Sequence, residues 1–405
     1  MLPHGRIGTL GLYSHSMKIT IVTDHFLPRI GGAEYASHCL ATALTERGHR
    51  VTVLAPETNL GCPVTGYKVV RHINSRFISS NITRILAIKK NGKHNKPDII
   101  HAQLLFPAGC GIFPYAQATN TPLIVSPQGA DIHSYKPLSY GLLNNPRYEY
   151  KIQKFLSNLN AVTYSSRLMK KLLIDNGFQG RHFYYLPNGT SVSCFQHEKR
   201  QYFRNSFNFP ENEIAIITIS RHTPIKGLSL LIQALQRLPS DLPNWRAVIA
   251  GSHVEHLEGE ICDAGLKNKI QLIPNLPFEY DRNGIPVIPS VAIANLLTAS
   301  DIYAAPALSG GFELSSADAI AAGLPTVIFD QNGSKDIIED SKSGLVVTTG
   351  DIDAFSHALS VLIRQHSLRA IMRSNALTSS VALDWKSIGQ KTEQIYQSIL
   401  TNQTQ

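Results

Sequence analysis

Two cations and a glycine pair are the residues of this chain best suited to chemistry. Arg221 follows the apolar run Ile214-Ala215-Ile216-Ile217-Thr218-Ile219, and Lys226-Gly227 precedes an amphipathic stretch from Leu228 to Leu238. A guanidinium grips two oxygens at once, whereas an ammonium acts as a compact point charge, so the two together make an anion clamp. Further on, Gly310-Gly311 leads through Phe312-Glu313-Leu314-Ser315 into a small-residue helix. That helix passes Asp318, stops at Gly323 and is followed by a buried strand ending near Ile328. A glycine turn feeding a helix start leaves backbone N–H groups unpaired under the positive end of the helix dipole. This is a phosphate or diphosphate site. Cations at such a site would neutralise a departing diphosphate without Mg²⁺, because the leaving group gains charge as its bond breaks. The plainer alternative is an ordinary helix-to-strand connection, with Arg221 and Lys226 satisfying carbonyls and surface acids.

Elements that would position these groups recur along the chain. Ile19 to Val22 reads as a buried first strand. The turn Gly31-Gly32-Ala33-Glu34 opens a helix from about Ala33 to Arg47, and Arg50 to Leu54 is the next strand. The turn is not a GxGxxG and no acid ends the second strand, which disfavours a nicotinamide cofactor. Pro97 to Ala102, Pro122 to Ser126 and Ala161 to Ser165 read as further strands, with Tyr184 to Gly189 closing the first half. Ligands of open parallel sheets bind beyond the strands' carboxyl ends. Gly31, Gly32, His101, Gln128 and Asp131 all fall at such ends. Residues 190–212 read as a linker. The second series contains Arg246 to Gly251, Lys269 to Ile273 and Ile302 to Pro306, a long proline-rich loop at 274–290, and helices near 351–364 and 385–400. The expected fold is α/β, with two Rossmann-like, doubly wound parallel-sheet domains facing a cleft. The expected boundaries are an unstructured extension at 1–16 with Met17 as start, domains at 17–195 and 196–384, and a last helix at 385–405 crossing back to the first domain.

With 405 residues, 43% of them apolar and 17% charged, the chain has length for two or three cores and the balance of a globular protein. The five cysteines are scattered without zinc spacing, so reduced thiols, a cytoplasmic setting and no metal are expected. No run is long enough to span a bilayer. A net charge of +9 favours an anionic partner. Residues 68–96 are basic and lack acids, with an amphipathic helix around Ile82 to Ile88. Lys136, Arg147, Lys151 and Lys154 are interleaved with aromatic residues. Either region suits a solvated face, an anionic membrane surface or a phosphorylated acceptor. No nucleic-acid-binding motif accompanies the charge.

An ordered set of motifs covers the chain from Met17 onward. It comprises Gly31-Gly32-Ala33-Glu34, Gly48-His49-Arg50-Val51, Pro97-Asp98-Ile99-Ile100-His101, Pro187-Asn188-Gly189, Ser220-Arg221, Lys226-Gly227-Leu228 and Ala299-Ser300-Asp301. Asp318-Ala319-Ile320-Ala321 with Gly323 and Pro325 completes it. The set resembles the family 4 retaining glycosyltransferases of GT-B fold. The resemblance implies metal-independent transfer of a sugar from a nucleotide-sugar donor to an acceptor hydroxyl, with anomeric configuration retained. The donor would be a UDP-sugar in preference to a GDP-sugar, with no other cofactor. The acceptor would be a glycan or glycolipid of surface polysaccharide or lipopolysaccharide synthesis, met at the inner face of the membrane.

Carried over by position, Arg221 and Lys226 would bind the donor diphosphate; together with Glu313, which is not carried over, they are the expected catalytic group. Gly31, Gly32, Gln128, Asp131, Asn188, Gly227, Gly251, Gly310, Gly311, Phe312, Leu314, Ser315 and Asp318 form the donor site, with Asp318 at the ribose. His25, His101 and His133 lie on the acceptor side, where a buried, hydrogen-bonded state is expected of each. The chain departs from the pattern in having Gly310 and Asp318 where the family has two glutamates, Glu313 where it has glycine, and Gln128 where it has histidine. Glu313 either supplies the missing carboxylate or is only a helix-start acid. The departures keep two alternatives in view. One is a non-catalytic partner of the same fold; the other is a nucleotide-sugar epimerase, for which Asp24 and Asp131 make a poor acid–base pair.

Overall fold

The computed structural model describes residues 16–29, 31–59, 65–73, 79–92, 96–274, 276–277 and 279–401. The extension at 1–16 lies outside these residues except for Ser16, as do Arg76 and Lys93 of the basic run.

Strands β1 (Lys18–Val22), β2 (Arg50–Pro56), β3 (Lys68–His72), β4 (Ile99–Ala102), β5 (Leu123–Val125), β6 (Ala161–Tyr164) and β7 (His182–Tyr185) form one sheet. Its order is β3-β2-β1-β4-β5-β6-β7, and every pairing is parallel. Helices α1 (Gly32–Glu46), α2 (Ser80–Gly92), α3 (Cys110–Ala118), α4 (Pro146–Leu156) and α5 (Arg167–Asp175) cover its faces. A sheet buried on both faces demands near-continuous apolar strands, and side-chain alternation then divides each strand between two cores. Ile21, Val53, Ile99 and Ile124 point to the α1 side, while Val22, Leu54, Ile100 and Val125 point to the opposite side.

The second sheet repeats this plan with β8 (Ile214–Ile219), β9 (Trp245–Ala250), β10 (Ile270–Ile273), β11 (Ile302–Ala305), β12 (Thr326–Phe329) and β13 (Gly344–Val347). The order is β10-β9-β8-β11-β12-β13, again wholly parallel. Its helices are α6 (Arg200–Ser206), α7 (Leu228–Gln236), α8 (Glu258–Asp263), α9 (Val291–Ala299), α10 (Leu314–Ala321), α11 (Lys335–Asp340), α12 (Ile352–Arg364) and α13 (His366–Ser380). The last helix, α14 (Trp385–Thr401), returns to the first domain. It buries Ile388, Ile395, Tyr396 and Ile399 in the core beside α1. Its Glu393 accepts from Arg47 Nε at 2.6 Å and lies 3.3 Å from His49 Nε2.

Several elements depart from the sequence-based reading. β3 sits at the sheet edge, where cations suit an unpaired strand, so its charge conceals its strand character. α9 and α13 were not read from the sequence; α13 starts without a side-chain cap, whereas Ser290 caps α9. The segment 190–212 is more than a linker, since Phe195, Phe203 and Phe209 enter the second domain's core. Within it, Arg200 and the buried Arg204 grip Asp301 at 2.7 and 2.9 Å, and Asp301 also accepts the Ala215 N–H at 2.9 Å. Removing the acid strands a buried guanidinium. Asp301→Ala is therefore expected to cost about 3 kcal/mol, read as a lower urea midpoint for the second domain; an unchanged midpoint would contradict this.

Candidate active site in the interdomain cleft

Asn145, Ser166, Ser290 and Asp351 cap α4, α5, α9 and α12 with side-chain oxygens, whereas α6, α8 and α13 start without a side-chain cap. The starts of α1, α7 and α10, at Gly31, Gly227 and Glu313, have no side-chain cap. All three follow the carboxyl ends of the central strands β1, β8 and β11. Their N-terminal dipole ends therefore border one crevice, an arrangement that favours an anion.

The lips of that crevice are in backbone contact. A Cβ on Gly311 would lie 2.3 Å from the Gln128 carbonyl oxygen, and one on Gly129 would lie 2.5 Å from the Gly311 nitrogen. Gly310 adopts φ +154°, which a side-chain-bearing residue rarely reaches, so a glutamate there would be strained. Across the same gap, an added Cβ on Gly32 would sit 3.8 Å from Leu314 Cδ1. Thr190 Oγ1 donates to Asp318 Oδ1 at 2.6 Å, and Asn188 Nδ2 donates to Gln128 Oε1 at 3.2 Å.

Arg221 is exposed at the end of β8, and among the described residues it makes no ion pair. Lys226 lies in a short 3₁₀ turn, Pro224–Lys226, and not in the helix that follows. Its Nζ is paired with Glu313 Oε1. Glu313 Oε2 accepts from Asn332 Nδ2 at 2.7 Å, and the Glu313 N–H donates to Ser334 Oγ at 2.9 Å. Tyr140, missed by the sequence reading, lies 4.0 Å from where a Gly310 Cβ would stand, and burial pushes its hydroxyl up to about 12. Asn332, Ser334 and Thr190 were also missed. The first two follow the carboxyl end of β12, where the strand-end rule would have found them.

Several expected site residues make structural contacts. Phe312 is buried in the second domain's core. Asp131 is 2% exposed and spends its carboxylate on the N–H groups of Leu105 (2.7 Å), Gln128 (3.0 Å) and Gly129 (2.9 Å), shaping the 128–131 loop. Gly227 and Gly251 are required by backbone approach, to Pro306 and Ser220 respectively. Ser315 bonds toward Tyr303.

His101 is fully buried between Tyr396 and Ser126, at 2.6 Å from each, and burial lowers it to about 3. His133 is buried against Ser309 at 3.0 Å and lowered to about 4. His25 is exposed, with Nδ1 3.2 Å from the Arg29 guanidinium. Asp24 is locked to Arg84, and its second oxygen accepts the Ala108 N–H at 2.8 Å. Asp131 is likewise occupied, so neither acid of that pair is free among the described residues.

The long loop bridges the domains. It folds back at Asp281, whose Oδ1 accepts the Asn283 and Ile285 N–H groups at 2.8 Å each, and it packs Ile285 against the first domain's core beside Tyr35. On the other flank, Arg167 at the start of α5 faces Asp336, Glu339 and Asp340 of α11.

Two facing Rossmann-like sheets with a crevice between their carboxyl ends define the GT-B fold. The chain belongs to glycosyltransferase family 4. Residues 30–193 match the model described as Glycosyltransferase Family 4, and residues 199–378 match that described as Glycosyl transferases group 1. The GDP-mannose-dependent alpha-(1-6)-phosphatidylinositol monomannoside mannosyltransferase of Mycolicibacterium smegmatis is 24% identical over 369 residues, covering 87% of this chain and 91% of the relative. The GDP-mannose-dependent monoacylated alpha-(1-6)-phosphatidylinositol monomannoside mannosyltransferase of Corynebacterium glutamicum is 23% identical, covering 95% and 99%. Among solved structures, sucrose-phosphate synthase of Thermosynechococcus elongatus superposes with TM-score 0.79 at 16% identity, covering 95% of this chain and 99% of that one. Anabaena HepE in complex with UDP superposes with TM-score 0.74 at 18% identity, covering 94% and 100%.

Asp318 gives the site a pH signature. Burial pushes its carboxyl up to about 7 against the opposing Thr190 hydrogen bond. The native state then holds a proton that the unfolded chain releases near the ordinary aspartate value of 3.8, so stability falls as pH rises from about 4 to about 7 and levels off above. Asp318→Asn should flatten this part of the melting-temperature profile and raise the melting temperature above about pH 7. A variant profile parallel to that of wild type would contradict the assignment.

Proposed function

We propose that the protein transfers a hexosyl group, with retention and without a metal, from a nucleoside-diphosphate sugar to a hydroxyl of a glycan or glycolipid. The observation that carries this is the convergence of Arg221, Lys226 and the uncapped α10 start on one crevice opposite Gly31 and Gly32. In this reading Arg221 and Lys226 take the charge that develops on the departing diphosphate, Asp318 receives the ribose, and Gln128 with Asn188 orients the sugar. Gln128 cannot titrate, so its role is positional. The buried histidines sit far below neutral pH in their titration and offer no obvious base, which suits front-face attack in which the leaving phosphate takes the acceptor's proton.

The donor is read as a UDP-sugar, with a GDP-sugar as the alternative raised by the relatives' names. The acceptor is read as a surface glycan or glycolipid met at the inner membrane face. Supporting this, α2 exposes Ile82 and Leu86 beside Lys89 and Lys90, and α4 exposes Arg147, Tyr150, Lys151 and Lys154. Such mixed apolar and basic faces suit an anionic bilayer surface.

A melting-temperature screen with UDP, GDP, ADP and their sugars in EDTA, followed by transfer assays with the stabilising donor, tests the reading. One nucleotide should stabilise the protein, and Arg221→Ala should remove that shift and reduce kcat/KM by about a hundredfold. Absence of binding by every nucleotide sugar would overturn it.

A further inference from the structure

Glu313 stands where the family resemblance implies glycine, and its carboxylate is paired with one of the two cations of the proposed diphosphate clamp. It pairs with Lys226 through one oxygen and with Asn332 through the other, and its side chain is only 12% exposed. Although Glu313 is the first residue of the α10 turn, its side chain caps no helix N–H. The helix start is thus left open while the carboxylate is aimed at the ammonium. Ser334 holds the Glu313 backbone, and Asn332 Oδ1 in turn accepts the Ser334 N–H at 2.9 Å, so the acid is anchored from the β12 side independently of Lys226.

We propose that Glu313 is an internal competitor for Lys226. It occupies the ammonium in the empty enzyme and yields it to the donor diphosphate, whereupon the freed carboxylate becomes a hydrogen-bond acceptor for a hydroxyl of the donor sugar. The inference rests on the reading of Arg221 and Lys226 as the diphosphate clamp. Its physical basis is charge. A diphosphate arriving against exposed Arg221 and the open α10 start carries more negative charge than one carboxylate and takes the ammonium from it. Glu313, still held by Asn332, then lies beside the phosphates without a counterion. An unpaired carboxylate in a half-buried site seeks hydroxyl donors. The sugar supplies them. Recognition of the sugar thereby becomes conditional on the phosphates, and part of the phosphate binding energy goes into releasing the acid.

Calorimetric titration of UDP, GDP and the matching nucleotide sugars into wild type, Glu313→Gln, Lys226→Ala and the double variant tests this. Glutamine keeps the length and the Asn332 contact but removes the charge, and unliganded melting temperatures check folding. Glu313→Gln is expected to bind the nucleoside diphosphate at least about threefold more tightly than wild type. The double variant should bind like Lys226→Ala alone, and the extra affinity contributed by the sugar should shrink in both. Unchanged or weaker diphosphate binding by Glu313→Gln would overturn the competition, leaving Glu313 as a strut that positions Lys226. If wild type bound no nucleotide, or Arg221→Ala left its affinity intact, the clamp reading would fail first, and the two failures are thereby told apart.

Discussion

The approach of the Gln128-Gly129 backbone to Gly310-Gly311 is the constraint on which the cleft depends. No side chain fits there, so the carboxyl ends of two separately folded sheets are brought to backbone distance. The other interdomain contacts are arranged around that point. Thr190 meets Asp318 and His133 meets Ser309 near it, while Ile285 and Arg167 tie the flanks. α14 secures the whole by burying its apolar face in the first domain. Because the crevice is narrow and its central helix starts are uncapped, charge placed in it is strongly felt.

Charge is also distributed unevenly over the molecule. Residues 17–195 carry the positive excess, and residues 196–405 are net acidic. The basic surface of the first domain lies on α2 and α4, outside the crevice, whereas inside the crevice the second domain offers Arg221 and a Lys226 already paired. The two positive features are therefore separate. One is spread over an exposed surface; the other is a pair of cations at strand ends, proposed above as a clamp for a compact anion.

Much of this was legible in the sequence because parallel strands buried on both faces leave unmistakable β-branched runs. Residues directly after those runs must then lie at the cleft, as Gly31, Gln128, Arg221 and Gly310 do. What was not legible is the direction of each side chain. Asp131 and His101 sit at strand ends, yet one turns its carboxylate into three backbone N–H groups and the other is enclosed by Tyr396 and Ser126. Phe312 follows the glycine pair but points into the core. β3 was hidden by edge-strand cations, and the aromatic residues of the 190–212 segment by their polar neighbours. The pairing of Lys226 with Glu313 joins residues far apart in the chain, and nothing local announces it.

The account turns on where a nucleoside diphosphate binds, and a crystal structure of the protein with UDP, or with GDP if GDP stabilises it, tests that directly. The account predicts diphosphate oxygens on Arg221, Lys226 and the Gly310-Gly311 turn, with the ribose at Asp318. A diphosphate bound instead on the basic face of α2 and α4, with Arg221 left free, would contradict it.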